Sequence, residues 1–186
     1  MKKPVLSIML LFAVEAKAAT LYDRVEARLK HDPKLAAALG HPAPEMKQVA
    51  WMIGRWDIAT TVDVQPGRKA ETGQSVVTPA LGGVWLEIRD TYPKGNQDIT
   101  YLGFDPATKR WVSTTVDGVG NAVTTTAPRW ANDRLVFTGE AVVVGEKATL
   151  RQTVAKTGPR AYIVANEERL SDGTWKLLDT YRYTRR

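Results

Sequence analysis

The chain has 186 residues, 44% of them hydrophobic and 25% charged, enough for one domain with a sizeable core and too few for two; a disordered chain is excluded. Its 26 Lys and Arg outnumber 20 Asp and Glu for a formal charge of +6, but they are scattered among the acids, which excludes a nucleic-acid footprint. It has no cysteine, so disulfides, a thiol nucleophile and a lipid-acceptor thiol are excluded as well.

Lys2 and Lys3 precede an apolar run from Pro4 to Val14, and Ala16-Lys17-Ala18 is a small-x-small cleavage site. Residues 1–18 are expected to be a signal peptide cut between Ala18 and Ala19, which sends the mature protein to the periplasm or out of the cell. The run is shorter than the roughly 20 apolar residues that span a bilayer. No later segment is long enough either, so no stable membrane insertion is expected after cleavage. Losing Lys2, Lys3, Lys17 and Glu15 leaves a charge of +4.

Residues 19–52 read as a helical N-terminal segment. Thr20 can cap a helix that carries Leu21, Val25 and Leu29 on one narrow face. Asp32 caps a restart with Pro33 in its first turn, and Gly40 ends it. His41-Pro42-Ala43-Pro44 is a hinge, and Glu45 to Met52 is expected to be one more helical piece. These helices are expected to be accessory, covering one end of the C-terminal part of the chain.

Residues 53–186 change texture at Trp56. Apolar and polar residues alternate, β-branched residues are frequent, and turn signals recur about every ten residues. Ten strands are expected, at Trp56–Val64, Glu71–Thr78, Val84–Tyr92, Asp98–Phe104, Arg110–Val116, Asn121–Pro128, Arg134–Val144, Lys147–Lys156, Arg160–Leu170 and Thr174–Thr184. Gln65-Pro66-Gly67, Asp117-Gly118, Asn132-Asp133 and Ser171-Asp172-Gly173 are among the turns between them. Short turns impose antiparallel neighbours, and a meander this long removes its edges by closing. The expected fold class is therefore mainly β: a roughly ten-stranded antiparallel up-and-down barrel behind a short helical segment. A sandwich would need long crossovers, and no connection demands one.

Several stretches carry a resemblance. Met52-Ile53-Gly54-Arg55-Trp56 contains the Gly-x-Trp signature of calycins, the group of lipocalins and fatty-acid-binding proteins. Leu81-Gly82-Gly83-Val84-Trp85-Leu86-Glu87-Ile88-Arg89 and Leu102-Gly103-Phe104-Asp105-Pro106 through Trp111 extend the pattern. Val116 to Gly120, Phe137-Thr138-Gly139-Glu140 and Tyr181 to Arg185 complete it. Together they resemble a bacterial domain-of-unknown-function family among the lipocalin-like barrels, over about Met46 to Arg186. The resemblance implies a barrel and no particular activity. It also implies a closed end, with Gly54 turning the chain sharply, Trp56 as a plug and an arginine of the last strand packed over the indole. Arg182 and Arg185 are the candidates, and Arg182, inside the expected strand, is the choice.

On the third strand Trp85, Glu87 and Arg89 share one face, and Leu86 and Ile88 share the other. The charged face either lines a polar lumen or faces water; the phase of the resemblance favours the lumen. Strands eight and nine offer Arg151, Gln152, Tyr162, Asn166 and Glu168, strand four Tyr101, and strand ten Asp179 and Tyr181. Glu87, Arg89, Tyr101, Arg151 and Tyr162 are the expected ligand contacts. Asp117, before Gly118, reads as a turn residue, and nothing in the spacing brings it to Glu87 for acid–base work.

No cofactor or metal is expected. Both histidines, His31 and His41, precede the strands, so the usual haem and zinc ligands are missing from the barrel. No Gly-x-Ser-x-Gly elbow or phosphate loop occurs, and no catalytic residue is assigned. The expected function is binding of a small, partly apolar molecule inside the barrel. Two alternatives stay open: an enzyme using a buried carboxylate or arginine, with Glu87 or Asp117 strongly raised in pKa, and a protein-interaction module with a filled barrel.

Overall fold

A computed structural model describes residues 18–63 and 70–186; the apolar run of residues 4–14 and the Gln65-Pro66-Gly67 turn lie outside the described residues. The chain divides into two compact units, residues 1–37 and 38–186. In the first, helix α1 spans Leu21–His31. Thr20 caps it through a reciprocal box: its hydroxyl accepts from the Asp23 N–H at 3.2 Å, and its own N–H donates to Asp23 at 2.8 Å. Helix α2, Pro33–Ala38, starts at Asp32, whose carboxylate accepts from the Leu35 N–H at 2.9 Å.

The second unit is a closed barrel of ten antiparallel strands joined as a meander. They are β1 (Gly54–Val62), β2 (Thr72–Ala80), β3 (Trp85–Thr91), β4 (Gln97–Asp105), β5 (Arg110–Asp117), β6 (Ala122–Ala127), β7 (Arg134–Val143), β8 (Glu146–Gly158), β9 (Ala161–Arg169) and β10 (Trp175–Arg185). Each bound falls within two residues of the one expected from the sequence. β1 pairs with both β2 and β10, so no edge is left to template aggregation. β1 shows why the strands form. Trp56, Ile58 and Thr60 are buried, while Arg55, Asp57, Ala59 and Thr61 face out.

One end of the barrel is sealed. In place of the single helical piece expected over Glu45 to Met52, two short 3-10 turns, Pro44–Gln48 and Ala50–Met52, lead into β1. Met46, Val49 and Met52 from this stretch join the barrel core. The backbone leaves helical dihedrals between them at Val49, which sits at φ −113°, ψ 2°. The core is built around the side chains that point inward at this end: Trp56, Trp111, Leu135 and Phe137, all fully buried, with Val77, Leu86, Leu102 and Tyr162. Among the described residues no helix is long and apolar enough to cross a membrane.

Candidate functional site

Gly54 opens β1 at φ 142°, a conformation side chains rarely adopt, and a Cβ there would lie 2.7 Å from an Arg185 guanidinium nitrogen. Trp56 donates from its indole nitrogen to the Met52 carbonyl at 2.8 Å. Tyr162 meets its ring edge-on at 4.9 Å and stacks on Tyr183 at 4.2 Å. The guanidinium of Arg185 lies 5.2 Å from the Trp56 ring centre and donates to the Ile53 carbonyl at 2.5 Å. The closing arginine is thus Arg185. Arg182, the choice from the sequence, is exposed on the outer wall. The reason is strand phase: Tyr183 is buried, so Arg185 two residues on shares its face and Arg182 does not.

The same phase relocates most of the expected ligand contacts. Leu86, Ile88 and Asp90 are buried, which turns Glu87 and Arg89 outward. There Arg89 donates to Glu87 at 2.8 Å and Tyr101 donates to Glu87 at 3.0 Å. Those bonds, from Arg89 first and Tyr101 second, hold the Glu87 carboxyl below its ordinary value. Arg151 is also on the outer wall, paired with Glu167 at 2.6 Å and lying 4.4 Å from the Trp175 ring centre. Tyr162 does point inward, but into the packed closed end, at 1% exposure. The five do not form one site.

What the barrel brings together instead is a set of inward polar groups towards its other end. Trp56 pairs across β1 and β2 with Ser75, Ser75 with Asp90 on β3, Asp90 with Asp98 on β4, and Asp98 with Asp117 on β5. Directly paired residues share a face, so this is one slanting inward row running from the tryptophan plug to the open rim. A second row crosses β8, β9 and β10: Gln152 donates to Asn166 at 3.1 Å, and Asn166 donates to Asp179 at 2.7 Å. The two rows bound a cavity of about 210 Å³. It continues into a mouth of about 280 Å³ at the rim, beside Thr60, Tyr92, Asp179 and Tyr181. A wider depression of about 770 Å³ lies against the outer wall of β1, β2 and β10, where Arg186 pairs with Asp57 at 2.5 Å.

The electrostatics of the inner rows follow from burial. Asp90 is 4% exposed. The Tyr183 hydroxyl donates to its Oδ2 at 2.6 Å, while Oδ1 has no hydrogen-bond partner. Burial pushes the Asp90 carboxyl upward, against the opposing influence of the Ser75, Tyr183 and Tyr92 hydroxyls. Asp98 is pushed up to about 7, by burial first and then by the charges of Asp90 and Asp117. Asp117 goes the other way. Burial would raise it, but bonds from the Asn121 side chain at 2.8 Å and the Asn121 and Val119 N–H groups at 2.9 and 3.1 Å hold it below its ordinary value. Asp117 is therefore both a turn residue and the rim member of the inner row. The buried Ser75 and Tyr92 hydroxyls act on Asp90 without meeting full hydrogen-bond geometry, and the Tyr162 hydroxyl is buried without a partner.

Of these groups, Gln152, Asn166, Asp179 and Tyr181 are legible in the sequence as inward candidates. Asp90 and Asp98 are not singled out, although a signal exists: the buried face of Leu86 and Ile88 continues by two residues to Asp90. Among the described residues no group of three or more His, Cys, Asp or Glu side chains is arranged to hold a metal ion.

Among known proteins, the sequence family described as "Protein of unknown function (DUF1579)" matches residues 41–185. No curated protein matches the chain. Among solved structures, a redesigned β-barrel is similar at 14% identity and a TM-score of 0.35, covering 75% of this chain and 95% of its own. Another redesigned barrel, bound to DFHBI, is similar at 14% identity and a TM-score of 0.34, covering 77% of this chain and 100% of its own.

Proposed function

The chain belongs to the DUF1579 family, which carries no assigned activity, and we propose that this member is an exported barrel that binds a small molecule in the open half of its lumen. The observation that carries the reading is the cavity of about 210 Å³ bounded by Asp90, Asp98, Gln152 and Asn166. A filled barrel of purely structural purpose gains nothing from carboxylates and amides turned inward, because each costs desolvation energy. The unpartnered Asp90 Oδ1 and Tyr92 Oη are acceptor and donor capacity left for a guest. The ligand is more polar than the composition of the barrel suggested, since the apolar inward residues are spent on packing the closed end. Glu87, Arg89, Tyr101, Arg151 and Tyr162 are not proposed as its contacts.

Export rests on residues 1–18, with cleavage between Ala18 and Ala19. The calycin kinship is supported by the Gly54, Trp56 and Arg185 closure. Native mass spectrometry of the protein taken from its own periplasm tests the reading. A small molecule should be retained by the wild-type protein and lost from Val164→Phe, which fills the cavity. A bare mass for both would overturn it.

One observation favours a second reading, acid–base catalysis: Asp98 titrates near 7 beside Asp90. The group is neither Glu87 nor Asp117, both of which are lowered. This reading requires turnover of the retained molecule, abolished in Asp98→Asn.

A further inference from the structure

The chain carries an excess of basic residues, yet the groups around the lumen are of the opposite sign. Asp90, Asp98 and Asp117 line the inner cavity, and Asp98, Asp117, Asp179 and Glu71 line the mouth. Among the described residues that line either space there is no lysine, arginine or histidine. No cation of the described residues pairs with Asp90, Asp98 or Asp117; the Arg89–Glu87, Arg151–Glu167 and Arg186–Asp57 pairs lie on the outer wall. An acidic cluster alone would be a solvated rim. Here a second observation separates it from one: Asp90 is buried to 4% exposure, lines the cavity, and keeps Oδ1 without a partner. Its other oxygen is fixed by the Tyr183 hydroxyl, so the free one has a defined direction.

We propose that the guest of this lumen carries a protonated amine, seated against the Asp90, Asp98 and Asp117 row, on a body small enough for the inner cavity. This deepens the ligand-binding reading and rests on it. An ammonium group has only donors, and the carboxylates of the row, once ionised, offer only acceptors. Three carboxylates on adjacent strands repel one another, so an entering cation gains attraction to each and relieves the repulsion between them. The rest of the site suits an organic cation better than a bare metal ion. Tyr92 and Tyr181 meet edge-on at 6.5 Å at the mouth and present ring surface to the body or the charge of the guest. The Gln152, Asn166 and Asp179 row faces the guest with neutral amides. Because Asp98 is half protonated near neutrality, uptake of the cation expels a proton, and affinity rises with pH from about 5 to about 8. Among the described residues the other ionisable groups that line these spaces with Asp98 are Asp90, Asp117, Asp179, Glu71, Tyr92, Tyr181 and Tyr183, and none of them is a cation that could reverse this sign.

The test uses the full chain and probes of one shape and three charges: benzylammonium, benzyl alcohol and benzoate, with calcium chloride as a fourth titrant. Binding is followed by calorimetry and by amide shifts of Asp90, Thr100 and Asn166. Benzylammonium should bind at least about tenfold more tightly than the alcohol, with benzoate weakest. Added salt should narrow the gap. Asp98→Asn should remove most of the preference and leave the alcohol within about twofold. Asp90→Asn should do the same, and if it fails to fold, Asp98→Asn decides alone. Glu87→Gln, on the outer wall, should change nothing. Equal binding of ammonium and alcohol, or tighter binding of benzoate or of calcium, would overturn the cationic guest and leave ligand binding standing. No binding by any probe, with no shift at the lumen residues, would overturn both.

Discussion

The two halves of the barrel are made from the same strands and the same alternation, yet they are opposite materials. At the sealed end the inward positions are Trp56, Trp111, Leu135, Phe137 and Tyr162, all buried, with Tyr162 edge-on to Trp56. At the open end the same strands, a few residues along, turn Asp90, Asp98, Gln152, Asn166 and Asp179 inward around the cavity and its mouth. The difference teaches a division of labour along the barrel axis. Packing at one end stabilises the fold strongly enough for the other end to carry inward polar groups that cost desolvation energy.

The contrast is broken most forcefully at the plug. Trp56→Ala should cost about 3–5 kcal/mol in urea unfolding, as expected for an aromatic deleted from a filled core. Val164→Ala, on the lumen side of β9, should cost clearly less, because it borders existing space. Equal losses would mean that the open half is packed after all.

Next in size is the clasp. Arg185→Ala removes the guanidinium over Trp56 and the bond to the Ile53 carbonyl, and should cost about 1–3 kcal/mol. Arg182→Ala, three residues earlier on the outer wall, should unfold like wild type. The reverse order would return the closure to Arg182.

The open half should announce itself by pH. Asp98 sits at about 7 in the folded protein and near 4 in an unfolded chain. Between those values the folded protein keeps a proton that the unfolded chain has lost, so raising the pH favours unfolding. Stability of the ligand-free protein should therefore be highest on the acid side and fall as pH rises from about 4 to about 7. Asp90, also raised, acts in the same direction. Asp117 is lowered and acts in the opposite one, withdrawing stability only at more acid pH. Melting temperatures from about pH 5 to about pH 8 check this: the wild-type slope should flatten in Asp98→Asn, and an unchanged slope would remove Asp98 from the account.

The smallest effect belongs to the outer wall. Glu87→Gln leaves Arg89 and Tyr101 in water-accessible positions and should not move the unfolding midpoint; a marked loss would show that the outer cluster matters to the fold.

The number of strands, their bounds and their closure into a meander were legible in the sequence, because alternation and turn residues are local signals. The face each strand turns inward was not. Period two divides β3 into Glu87 with Arg89 and Leu86 with Ile88, but the division is symmetric. The phase of the resemblance points the charged pair to the lumen, but Leu86 and Ile88 are the buried pair and Glu87 and Arg89 face out. Arg182 falls inside the strand that the sequence predicts, and Arg185 lies one residue beyond its end. The buried Tyr183 fixes the phase that selects it. The Asp90, Asp98 and Asp117 row could not be read at all without register, since its members lie on three strands and only pairing across the sheet aligns them.

The clasp between Arg185 and the start of β1 also sets a timetable. Arg185 and Ile53 are 132 residues apart in the chain, and β1 cannot be paired on both sides until β10 has been made. Every intermediate with fewer strands keeps two open edges and lacks the cation over the plug. Folding should therefore be slow and all-or-none, with closure as its late step.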